Sequence, residues 1–118
     1  MKLKTICFDI DNVICKTSIT RNYLKSIPIK KNIKLINELY NGGFNIILYT
    51  ARCMKRCKGN VAKVKKKIKP LTLKQLRSWG VKYHKIHFGK PSFDLFIDDK
   101  CLFFKKNWTN ILKKKLKL

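Results

Sequence analysis

Acidic residues are the scarcest feature of this 118-residue chain, which carries six Asp and Glu against 29 Lys and Arg. Glu38 is its one glutamate. The formal net charge of +23 excludes a surface built to attract cations. It predicts attraction to polyanions: nucleic acid, an anionic surface or a phosphorylated substrate. A composition rich in Lys, Ile and Asn is what A/T-rich coding favours, but Glu also has A-rich codons and is nearly missing. Long apolar runs are absent as well, and none approaches the roughly 18 residues that span a bilayer. The N-terminal stretch lacks the apolar core of a secretory signal. Pro and Gly are few (3 and 5), and there is no low-complexity linker or internal repeat, so residues 1–118 read as one domain. Cysteines number five. An odd count without a signal predicts free thiols in a reducing, cytoplasmic setting. The spacing of Cys53 and Cys57, with His84 and His87, fits no common zinc pattern well.

Hydrophobic residues make up 45% of the chain, enough for a packed core. Residues 4–10 alternate and are rich in β-formers, predicting a strand. Ser26 and Pro28 open a predicted helix carrying Ile33, Leu35, Ile36, Leu39 and Tyr40 on one side and stopped by Gly42-Gly43. Phe44–Tyr49 is a nearly continuous apolar run, as expected of a strand covered on both faces. After a basic loop, Asn60 caps a helix toward Lys67. Pro70 is expected to break it, a second helical piece running to Trp79. Lys85–Phe88, Phe93–Ile97 and Cys101–Phe104 read as strands, the last an edge. Residues 108–116 place Trp108, Ile111, Leu112 and Leu116 on one helical stripe. Strands alternating with helices predict an α/β fold with a mostly parallel sheet and helices on both faces. Ligands of such sheets bind at the carboxyl ends of the strands.

Five of the six acids fall at or beside predicted strand ends. Asp9 and Asp11 end the first strand, Asp98 and Asp99 follow Phe93–Ile97, and Asp94 lies next to or within it. Asp favours turns, which accounts for one pair but poorly for two in a chain nearly devoid of acids elsewhere. Carboxylates converging at one sheet edge need a cation, and an all-oxygen cluster suits Mg²⁺.

These residues carry a resemblance. Phe8-Asp9-Ile10-Asp11-Asn12-Val13 resembles the first motif of the haloacid dehalogenase-like superfamily, a hydrophobic strand followed by Asp-x-Asp. Ile46-Ile47-Leu48-Tyr49-Thr50 resembles its second, Lys90 its third and Ile97-Asp98-Asp99 its fourth, in the same order and across residues 4–100. Thr50-Ala51-Arg52-Cys53-Met54, Gly59-Asn60, Gly80-Val81-Lys82-Tyr83, Phe88-Gly89-Lys90-Pro91 and Ile97-Asp98-Asp99-Lys100 narrow it to the small capsule or polysaccharide biosynthesis phosphatases. The Pro91–Asp98 stretch is shorter than usual there, and His84-Lys85 stands where acids are common.

The resemblance implies a three-layer, Rossmann-like core with a minimal cap or none, since neither the stretch after Asp11 nor Thr50–Pro70 has room for a large one. It implies an Mg²⁺-dependent phosphomonoester hydrolase. Asp9 would be the nucleophile, Asp11 the general acid and base, and Thr50 and Lys90 the ligands of the phosphoryl group. Backbone N–H groups after Asp9 would add donors. Mg²⁺ would be held by the Asp9 carboxylate, the Asp11 backbone carbonyl and an acid of the Asp98/Asp99 pair, and Asn12, Ala51 and Arg52 would contact substrate. The substrate would be a phosphosugar or another small phosphorylated metabolite of polysaccharide biosynthesis. The charge of +23 keeps nucleotides or nucleic-acid phosphate ends as the alternative, although no basic motif interleaved with aromatics supports it. A non-catalytic basic binding module on the same scaffold is a third reading, against which the intact set of site residues argues.

Overall fold

The computed structural model describes residues 4–118. Nine elements follow one another: β1 (Thr5–Asp9), β2 (Cys15–Lys16), a 3₁₀ turn (Tyr23–Lys25), β3 (Ile27–Pro28), α1 (Lys30–Asn41), β4 (Asn45–Thr50), α2 (Val61–Ser78), β5 (Lys85–Phe88) and α3 (Trp108–Lys115). β1, β4 and β5 form a parallel sheet in that order, with Asp9 opposite Tyr49 and Thr50 opposite Phe88. β2 and β3 pair antiparallel, Cys15 opposite Pro28. The protein is thus an α/β fold, and its three parallel strands end at one edge.

Burial follows the strand period of two. Phe8, Ile46, Leu48 and Thr50 are buried, whereas Cys7 is exposed and Ile47 and Tyr49 are half-buried. The buried residues of β1 and β4 share one core with Ile33, Ile36 and Leu39 of α1, Leu76 of α2, and Trp108 and Leu112 of α3. β4 was expected to be covered on both faces, yet only one of its faces is sealed. The other shows no comparable cover among the described residues.

Three further expectations are corrected. α1 begins at Lys30, with Ile29 at its N-cap and no side-chain cap; Ser26 and Pro28 lie before it because Ile27–Pro28 pair with β2. α2 runs unbroken through Pro70. Val64 and Ile68 before the proline, and Thr72, Gln75 and Leu76 after it, are buried along one stripe, so packing on both sides outweighs the hydrogen bond lost there. Residues 93–97 and 101–104 form no strand, and every residue from 91 to 101 is exposed. A strand exists only with a pairing partner, and alternation along the chain does not supply one. The Asn60 cap is present, its side chain accepting from the Lys63 N–H at 3.2 Å.

Candidate active site

Parallel pairing brings the ends of β1, β4 and β5 together, and with them Asp9, Thr50 and the residues after Phe88. The Lys90 N–H donates to the Thr50 carbonyl at 3.1 Å. This places Lys90 Nζ 3.4 Å from Asp9 Oδ2. Gly89 makes the turn with φ of +97°, and a Cβ there would meet Val61 Cγ2 at 2.9 Å. Both its left-handed backbone and its contact with the start of α2 require glycine. The Lys90 ammonium lies 5.6–5.9 Å from the rings of Tyr49, Phe93 and Phe96, an aromatic surround that the sequence reading missed.

Asp9 is 37% exposed at its side chain. Its Oδ1 accepts the Ile10 N–H at 2.8 Å. Burial pushes its carboxyl above the usual value, and Lys90 and the Ile10 N–H pull only partly the other way. The chain then turns tightly: the N–H groups of Val13, Ile14 and Cys15 all point at the Ile10 carbonyl, and that of Asn12 donates to Cys15. These four N–H groups are spoken for internally. Asn12 is exposed and takes φ of 67°, a conformation Asn tolerates better than most residues.

Asp11 faces Arg52. Arg52 Nη2 donates to Asp11 Oδ1 at 3.0 Å, and Nε reaches both carboxylate oxygens at 3.2 Å. Asp11 Oδ1 also accepts from Thr17 Oγ1 at 2.6 Å. Arg52 Nη1 donates to Gln75 Oε1 at 2.6 Å and Thr72 Oγ1 at 3.2 Å. Gln75 Nε2 donates to the Tyr23 carbonyl at 2.6 Å, and the Tyr23 ring lies 4.8 Å from the guanidinium. The Arg52 side chain has no exposed surface. The expectation that Arg52 contacts substrate is therefore not met: its charge is spent inside the protein.

Thr50 is buried at the end of β4, and its hydroxyl accepts the Arg52 N–H at 3.1 Å. Ala51 is half-buried, and its carbonyl accepts from Met54. Thr72, Gln75, Tyr23 and Thr17 were not foreseen as site residues. One signal for the first two was present: they are polar yet fall on the same stripe of α2 as Val64, Ile68 and Leu76.

The acids at the far end of the chain are not gathered in. Asp94, Asp98 and Asp99 are exposed, and Asp98 Oδ1 accepts the Lys100 N–H at 2.8 Å in a local turn. Among the described residues no three His, Cys, Asp or Glu side chains converge as a metal site. The Asp9 carboxylate is matched by Lys90 instead, and the Asp98/Asp99 pair is not brought to it. The expected oxygen cluster for Mg²⁺ is thus not assembled. Nor are the zinc candidates: Cys53 and Cys57 pack with Tyr23, while His84 Nδ1 accepts the Ile46 N–H at the opposite end of the sheet.

No known protein-family profile matches the sequence, and no curated protein matches it. The fold is similar to the crystal structure of an MCSG target protein from Vibrio cholerae, with a TM-score of 0.78 and 26% identity over 97% of this chain and 99% of that one.

Proposed function

We propose that this chain is a phosphomonoester hydrolase of the haloacid dehalogenase-like kind, working through an aspartyl-phosphate. One observation carries the reading: Asp9 and Lys90, 81 residues apart, meet 3.4 Å from each other at the strand ends beside Thr50. This is the arrangement an anionic nucleophile needs if it is to face a phosphoryl group with a cation alongside.

With a proton on the less engaged Asp11 oxygen, an Asp9 oxygen attacks phosphorus and the ester P–O bond breaks, that proton passing to the departing oxygen. Asp11, now a carboxylate, takes a proton from the water that attacks the aspartyl-phosphate. Phosphate leaves and Asp9 is restored. Lys90 offsets charge on the phosphoryl oxygens, and Thr50, buried beneath them with its hydroxyl accepting the Arg52 N–H, forms the floor of the site. Mg²⁺ would add charge neutralisation. The acids as arranged do not build a cage for it among the described residues.

The substrate we favour is a phosphosugar or similar small phosphorylated metabolite of polysaccharide biosynthesis, in keeping with a site that carries no large cap. The charge of +23 favours nucleotides or nucleic-acid ends as the second reading. Five unpaired cysteines suit a reducing compartment. The test is phosphate release from phosphosugars, nucleotides and end-phosphorylated oligonucleotides, with and without Mg²⁺, by the wild type and Asp9→Asn. Release that disappears in Asp9→Asn is expected, and the preferred substrate separates the two readings. No release by folded wild-type protein under either metal condition refutes the proposal.

A further inference from the structure

We infer that Arg52 is a positioning residue for Asp11, fixing which carboxylate oxygen transfers the proton, and not a binding group for the substrate phosphate. The inference rests on the phosphatase reading above and deepens it.

A guanidinium has five N–H donors in a rigid fork. All five are engaged inside the protein. Nε takes Asp11, Nη1 takes Thr72 and Gln75, and Nη2 takes Asp11 and the Cys15 sulfur at 3.6 Å. With no donor left over and no exposed side-chain surface, Arg52 has nothing to offer a phosphate. A buried charge is costly unless it is paired and hydrogen-bonded, and the site meets that cost through Thr72 and Gln75, polar side chains on the otherwise apolar buried stripe of α2.

The consequence falls on Asp11. Its Oδ1 accepts from Arg52, Thr17 and the Cys15 thiol, the last at 3.6 Å. Its Oδ2 has one contact, a shared N–H of Arg52 at 3.2 Å. Oδ1 is saturated and anchored; Oδ2 is the oxygen with lone-pair capacity to spare. The geometry thus dedicates Oδ2 to the proton given to the departing ester oxygen and later taken from water.

Leaving-group dependence tests this. An aryl ester such as p-nitrophenyl phosphate expels a weakly basic oxygen that needs little protonation, whereas an alkyl ester needs the acid. Wild type, Arg52→Lys, Asp11→Asn and the double variant are assayed on both esters. Arg52→Lys is expected to lose about 10²-fold in kcat on the alkyl ester, with little change in KM and a much smaller loss on the aryl ester. Asp11→Asn follows the same pattern, and the double variant is no worse than Asp11→Asn. Thr72→Val removes one acceptor of Arg52 with little change of shape. It gives a smaller loss of the same selective kind, and decides the matter if Arg52→Lys does not fold. A KM rise on both esters at constant kcat would make Arg52 a phosphate ligand and overturn the inference. So would equal kcat losses on both, the mark of a general structural role. Absence of Asp9-dependent release in the wild type removes the phosphatase reading itself, and is recognised because no variant then differs from it.

Discussion

Asp9 sits between opposing influences. Burial raises its carboxyl, and Lys90 with the Ile10 N–H offsets this only in part. An acid that titrates higher in the folded than in the unfolded chain keeps its proton longer when folded. Stability therefore falls as pH rises through the window between the two values. Asn cannot ionise, so Asp9→Asn is expected to melt a few degrees above the wild type at neutral pH. The difference should vanish below about pH 4, where both chains carry an uncharged side chain; melting curves across pH read it. A higher-melting variant that has lost hydrolysis would be the mark of a residue kept for chemistry at a cost in stability. The same displacement places the acid limb of the activity profile above that of an ordinary aspartate, since the nucleophile must be ionised. Asp9 and its partner differ in legibility. Asp9 follows an alternating strand and is plain in the sequence. Lys90 is one lysine among many, singled out by its place after Gly89 and ahead of Asp98. The Arg52 network was not legible, because Asp11, Arg52 and Gln75 are brought together only by the packing of α2 on the sheet.

The helices show where local signals succeed and where packing overrides them. Asn60 reads as a cap and is one, so Asn60→Ala is expected to cost about 1 kcal/mol in denaturant unfolding. Pro70 reads as a break and is not one. Its ring is exposed and its neighbours along the buried stripe hold α2 together. Pro70→Ala restores a backbone donor and is expected to stabilise the fold by about 1–3 kcal/mol, less whatever the proline contributes by stiffening the unfolded chain. No change, or a loss, would show that the proline's effect on the unfolded chain dominates. The strands divide in the same way. β1, β4 and β5 are apolar runs that find neighbours. Residues 93–97 are as apolar in pattern but pair with nothing, and Leu95, Phe96 and Ile97 stay exposed. Periodicity reports which face a segment would bury and is silent on whether a partner strand is within reach. That is why the acids after Ile97 were expected at the sheet edge and are not found gathered there.

A charge of +23 on a body with a radius of gyration of 14.3 Å makes self-repulsion a property of the whole surface. At ~10 mM salt the screening length is ~30 Å, longer than that radius, so each lysine feels most of the others; at ~100 mM it is ~10 Å. Melting temperature is expected to climb over this interval, and calorimetry at fixed pH reads the effect. A flat response would mean that the excess charge is already neutralised locally. The charge itself was legible from composition. Its partner was not, because net charge speaks to association and not to shape.

The strand order β1–β4–β5 follows the order of the chain. A ribosome making this protein releases each strand after the one it will pair with. Asp9 emerges first and Lys90 about 80 residues later, after both helical crossovers. The nascent chain thus holds its nucleophile long before the lysine that faces it, and the two meet only when the third strand has docked.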